Sequence, residues 1–185
     1  MSLAKGIVFE AKRYWSPVGK AAPPDSLPDV SRFGNDGTFT TAPDWVQLSS
    51  GLWVMDFVAA SNELVTVGDI GTARTLVFWL KPDSTTESIL EELAATGITC
   101  SSSSMVYGSW DNCFVNGVDT NTMTTAWQHV AVTSTTDVTM SAFRLGLVDT
   151  TYLDGMLSLV RAFLYELSQD AINKIYAAER AYFGV

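Results

Sequence analysis

Charge is scarce in this chain. Charged residues fill 17% of its 185 positions, against roughly 25% in an average soluble protein. Cations are the scarcer sign: 11 Lys and Arg stand against 20 Asp and Glu, a net charge of −9. Phosphate backbones are bound through clustered Lys and Arg, so these scattered cations argue against a nucleic-acid partner. A disordered acidic tail is excluded as well, because it needs low hydrophobicity and 47% of this chain is hydrophobic. Long apolar runs are missing. The densest, Leu76-Val77-Phe78-Trp79-Leu80, stops at Lys81-Pro82, far short of the ~18 residues of a membrane span. The opening MSLAKGIVFE has one Lys and no signal-peptide core. Met1-Ser2-Leu3 reads as an expression-vector remnant, which leaves open a removed signal or upstream domain.

Reactive side chains are equally few. Two cysteines, Cys100 and Cys113, cannot make a disulfide scaffold. A bend between Val106 and Tyr107 would set them opposite each other on a hairpin, whereas one at Gly108-Ser109 would set Cys113 beside Ser104. Two inert core thiols are favoured over a bridge. His129 is the one histidine, so any Ser-His-Asp or Cys-His system must use it. No Gly-x-Ser-x-Gly elbow accompanies it, and a packed strand residue is the favoured reading. Cys100, Cys113 and His129 have no zinc-type spacing. No Gly-rich loop precedes a helix to cradle a phosphate.

Polarity comes instead from 20 Thr and 18 Ser, types that suit half-buried pleated surfaces and turns. Short β-type runs between turn residues follow from Ile7-Val8-Phe9 onward. Pro17, Pro23, Pro24 and Pro28 make the next stretch a loop. Trp53 to Phe57 and Leu64 to Val67 bracket a turn at Ser61-Asn62. Thr75 to Leu80 is apolar on both faces, as a central strand is. Asn116-Gly117 is a two-residue hairpin turn. Trp127 to Thr133 alternates, with Gln128, Val130 and Val132 on one face. Met156 to Tyr165 is a last strand. One helix follows, with Ser168 as its cap, Asp170 in its first turn and Gly184 at its end. Its Ile172, Ile175, Tyr176 and Tyr182 form a stripe for docking on a sheet. The expectation is one all-β domain over residues 1–185, a two-sheet antiparallel β-sandwich with one C-terminal helix.

Five segments in order resemble the concanavalin A-like lectin/glucanase superfamily, in its laminin-G-like jelly-roll modules. Gly34-Asn35-Asp36-Gly37-Thr38 is similar to the family's GNDGT turn, and Met55-Asp56-Phe57 through Asn62 to Val67 to LDFDGSNDYVEV. Thr75 to Pro82 resembles FTVSFWVKP, Trp127 to Thr133 resembles WHHVAVT, and Gly155 to Phe163 with the helix resembles the family's closing strand and helix. The resemblance spans roughly residues 34–180. Ser158 and Leu159 stand where the family commonly has Asp-Glu, and that Asp helps relatives hold a structural calcium. No cofactor is therefore expected. Asn35, Asp36 and Asp154 are the remaining oxygen ligands for calcium, with Asp36 read first as a turn residue.

A glycosidase resembling the superfamily's laminarinases would carry Glu-x-Asp-x-x-Glu on one strand, aiming two carboxyls into one cleft. The chain lacks it. Glu91 and Glu92 are adjacent, so on a strand they face opposite ways, and they read as solvated edge or loop charges with Glu87. Among the tryptophans, Trp79 and Trp127 read as core, Trp53 is ambiguous, and Trp15 and Trp45 lie beside prolines as loop pins. The run from Tyr107 through Trp110, Asp111 and Asn112 joins aromatics to carboxyl and amide groups, the mixture that sugar recognition uses. An ordinary hairpin tip is the competing reading.

Tyr107, Trp110, Asp111, Asn112 and Trp53 are thus the candidate ligand-binding residues, with no catalytic residue. The expected function is non-catalytic recognition of carbohydrate or a protein surface, in an extracellular, envelope or virion setting. A structural domain of a phage tail or surface fibre is the alternative, with a homo-oligomer open in either case. A divergent glycosidase comes third.

Overall fold

The computed structural model describes residues 8–9, 26–29, 31 and 33–185. Ile7, Trp15, Pro17, Pro23 and Pro24 lie outside the described residues.

Two antiparallel sheets face each other. The first runs in spatial order Val118–Asp119 (β12), Asn112–Val115 (β11), Gln128–Thr139 (β13), Thr72–Pro82 (β7), Gly155–Phe163 (β17), Trp53–Phe57 (β5) and Asp44–Gln47 (β4). Val8–Phe9 (β1) pairs with the later half of β17. The second runs Ser104–Val106 (β10), Thr96–Ser101 (β9), Glu87–Leu93 (β8), Phe143–Leu145 (β14), Leu64–Gly68 (β6), Gly37–Thr41 (β3) and Ser26–Leu27 (β2). A small hairpin, Leu147–Val148 (β15) with Thr151–Tyr152 (β16), packs on β8. The expected sandwich and its single C-terminal helix, Gln169–Phe183 (α1), are both present.

β7 occupies the centre because its alternation supplies two cores. Leu76, Phe78 and Leu80 turn inward to meet Val130 and Val132 of β13 and Phe143 and Leu145 of β14. Val77 and Trp79 turn outward beneath α1. Each such side chain contributes about 1.5–3 kcal/mol on full burial. β17 adds to the outer core through a bulge between Ser158 and Arg161. There Leu159 takes φ +49°, and it packs outward with Trp79 while Leu157 and Val160 pack inward.

α1 is held on this face by packing and charge together. Phe183 stacks on Trp79 with ring centres 4.0 Å apart. Glu179 accepts a hydrogen bond from Trp79 Nε1 at 2.8 Å and another from Arg161 Nη2. Ser168 Oγ accepts from Ala171 N, and Gly184 closes the helix at φ +73°. The Asn116-Gly117 turn between β11 and β12 has φ +53° and +79°, the pattern of a tight primed hairpin turn. A Cβ on Gly117 would also strike the Asn173 side chain of α1.

The hairpin expected to relate the two cysteines does not form. Cys100 on β9 lies opposite Met105, whereas Cys113 on β11 lies opposite Val132 in the other sheet. The turn falls earlier, at Ser102 and Ser103, both with positive φ. Both thiols are free and buried in the inter-sheet core. Burial pushes Cys113 up to about 12 and raises Cys100 as well, so neither is a ready nucleophile.

Candidate functional site

After β10 the chain crosses from the second sheet to the first through Tyr107 to Asp111, the run singled out for its aromatics. Trp110 N donates to Tyr107 O at 2.8 Å, which closes a tight turn. Trp110, a candidate ligand-binding residue, is 4% exposed and sits in the inter-sheet core, where no ligand reaches it. Its indole N–H needs an acceptor there and finds Glu92 Oε1. Tyr107 is half-buried against the same core. Asp111 is exposed, and its Oδ2 accepts from Thr135 N (2.8 Å), Thr135 Oγ1 (2.9 Å) and Ser134 Oγ (3.2 Å). These bonds hold its carboxyl below the usual range and fasten the irregular stretch of β13 after Thr133.

Glu91 and Glu92 face opposite ways as expected, but neither is solvated: each is 1% exposed. β8 is an interior strand of its sheet, so both carboxyls are covered. Glu91 accepts from Arg144 Nη1 at 3.0 Å and from Asp149 N at 2.7 Å under the β15–β16 hairpin. Glu92 turns toward Trp110, and its Oε2 has no hydrogen-bond partner. Burial pushes its pKa up to about 7, against opposing hydrogen bonds from Trp110 and Ser109. Nothing in the local spacing separates this pair from surface charges.

His129 is fully buried beneath α1, edge-on to Trp79 with ring centres 5.3 Å apart, and its ring lies 5.9 Å from that of Tyr176. Neither ring nitrogen has a hydrogen-bond partner. Burial, with nearby Arg161, pulls its pKa down to about 3, and the ring is neutral at ordinary pH.

The outer face of the first sheet carries a groove beside the start of α1. It encloses about 350 Å³ and is lined by Asn112, Phe114, Thr133, Glu166, Leu167, Ser168 and Gln169. Asn112 and Phe114 come from β11 and Thr133 from β13, whereas Glu166, Leu167 and Ser168 come from the connection that leads into α1 and Gln169 opens the helix. Phe114 forms the floor, packed on Ala131, Val77 and Ile172. Asn112 Nδ2 donates to Thr133 Oγ1 at 3.4 Å, and Thr133 Oγ1 lies 3.5 Å from Glu166 Oε1. Buried Thr75 of β7 fixes the far wall: its Oγ1 donates to Tyr165 O and accepts from Leu167 N, both at 2.9 Å. Gln169 Nε2 donates to Gly117 O at 3.2 Å, which ties the helix start to the hairpin turn. The walls are thus set before any ligand arrives, and at about 350 Å³ the groove has the size of a small-molecule site.

Of the five expected residues, Asn112 lines this groove. Trp53 is half-buried on β5, four strands from β11, about 19 Å away at roughly 4.8 Å per strand. The two do not share a site. Glu166 and Gln169 escaped sequence reading, since they lie more than fifty residues beyond Asn112; the Ser168 cap was their one local signal.

Two of the oxygen ligands considered for calcium accept backbone hydrogen bonds, and the third residue, Asn35, takes part through its own N–H. Asp36 Oδ1 accepts from Asp29 N at 2.7 Å, Asn35 N donates to Asp29 Oδ2 at 2.9 Å, and Asp154 Oδ1 accepts from Ala59 N at 2.7 Å. Among the described residues, no three His, Cys, Asp or Glu side chains gather as a ligand set. No described helix is long and apolar enough to cross a membrane.

No family model and no curated protein matches the chain. Among solved structures it is similar to Domain 4 of AbnA, a GH43 extracellular arabinanase from Geobacillus stearothermophilus, in complex with arabinotriose. The TM-score is 0.57 at 15% identity, with 92% of this chain and 97% of that chain covered. At that identity the likeness establishes the fold.

Proposed function

We propose that this domain recognises carbohydrate without cleaving it, and that the groove beside α1 is where it does so. The observation that carries the reading is the groove's make-up: an aromatic base, Phe114, 8% exposed, with the exposed amide and carboxyl groups of Asn112, Gln169 and Glu166 around it. A sugar ring presents an apolar face and a rim of hydroxyls, and this surface answers both. The similar arabinanase domain, matched over nearly its whole length, carries arabinotriose, which favours sugar over a protein surface. Its parent enzyme is extracellular, and we take the same setting for this chain.

Hydrolysis fits less well. A glycosidase sets two carboxyls about 5–10 Å apart across the scissile bond, and Glu166 is the one carboxyl among the lining residues. Glu91 and Glu92 are too buried to meet a polysaccharide.

Titration calorimetry with arabinotriose and a panel of neutral oligosaccharides tests the reading. Asn112→Ala removes one amide from the wall. It should weaken binding about tenfold, the worth of one well-made hydrogen bond, with the melting temperature unchanged. Wild-type protein that binds no glycan, or a variant that binds as wild type does, would overturn it.

A further inference from the structure

We infer that the groove selects uncharged sugars and rejects uronic acids, with Glu166 as the discriminating residue. This inference rests on the carbohydrate reading of the groove and adds its ligand class.

The argument is one of charge. Glu166 is exposed and brings a carboxyl to the wall, whereas no Lys or Arg is among the lining residues. Acidic polysaccharides are gripped by cations, above all by the paired donors of Arg, and this groove offers none. Among the lining residues the one positive element is the start of α1, since a helix N-terminus carries about half a unit charge. That half charge is already answered. Asp170 lies in the first turn, and Ser168 Oγ takes the Ala171 N–H. With that half charge answered, the groove keeps the Glu166 carboxyl, in a molecule whose net charge is −9. An incoming uronate meets repulsion at short range and at long range. A neutral sugar meets neither, and its hydroxyls can donate to Glu166, an acceptor-only group when ionised.

The experiment compares neutral arabinotriose and cellotriose with trigalacturonate by calorimetry, on wild type and on Glu166→Gln. Wild type should bind at least one neutral trisaccharide, with an affinity that does not change with salt, and trigalacturonate at least about tenfold more weakly. Glu166→Gln should narrow that gap by improving the uronate, because the amide keeps an acceptor and loses the charge. Trigalacturonate bound as tightly as the neutral sugars, or a gap that Glu166→Gln leaves unchanged, overturns the inference and leaves carbohydrate recognition standing. Binding of none of the three defeats both.

Discussion

Glu92 is the residue whose environment departs furthest from its sequence setting. Between Glu91 and Leu93 in a run of mixed character, it reads as a surface charge, yet it is sealed beside Trp110. Its partner lies eighteen residues on, in the turn that carries the chain from β10 of the second sheet to β11 of the first, and no periodicity reports such a pairing. The consequence for stability has a definite sign. The carboxyl titrates near 4.5 when unfolded and at about 7 when folded, so the folded state holds its proton more tightly. The resulting stability is fully present below about pH 4.5 and is lost as pH rises through 7, in all roughly 3 kcal/mol. Glu92→Gln keeps an acceptor for the indole N–H and cannot ionise. Urea titrations should find the variant equal to wild type near pH 4 and about 3 kcal/mol more stable near pH 8. An unchanged difference between the two pH values would show that Glu92 does not ionise on this path.

The elements divide by how local their signals are. The α1 boundaries could be read directly, because Ser168, Asp170 and Gly184 act within one turn of the residues they cap. Asn116-Gly117 was equally plain, since both residues tolerate positive φ. The Ser102-Ser103 turn was not, because serine seldom takes that conformation and composition alone gives no warning. Because the chain reverses there, Cys100 pairs with Met105 and Cys113 is left to the other sheet. The groove was hidden for a related reason: its walls are β11 and the approach to α1, neighbours only through the sheet order and the Thr75 clamp. The docking of α1 itself makes a prediction. Phe183→Ala removes the ring stacked on Trp79 and should cost about 3–5 kcal/mol, as large-to-small changes at buried aromatics do. Ser168→Ala loses only a cap and should cost about 1 kcal/mol. Chemical denaturation of both variants checks the order. Equal losses would mean that α1 is held by its ends and not by its face.

At the scale of the whole molecule, buried titratable groups set the pH range in which the sandwich is most stable. Glu92 removes stability as pH rises between about 4.5 and 7. His129 acts in the other direction. Its folded value of about 3 lies below the unfolded 6.5, so its contribution is fully present above about pH 6.5. That contribution falls away as pH drops through 3, by roughly 5 kcal/mol in all. Between about 4.5 and 6.5 the two slopes oppose each other and largely cancel. Below that range the His129 slope is not opposed by Glu92, and above it the Glu92 slope is not opposed by His129. Burial also raises Asp56 and Glu63, helped by the acidic neighbours Asp44, Asp83 and Asp154, and these carboxyls too favour the acid side. Maximum stability is therefore expected on the acid side of neutrality, in a plateau at about pH 4.5–6.5. Melting temperatures across pH locate it, and two variants separate its limbs. Glu92→Gln should flatten the alkaline limb. His129→Phe should flatten the acid one with no hydrogen bond lost, because neither imidazole nitrogen has a partner. A maximum above about pH 8, or an acid limb that His129→Phe leaves intact, would mean that surface charge and not these two buried groups governs the response.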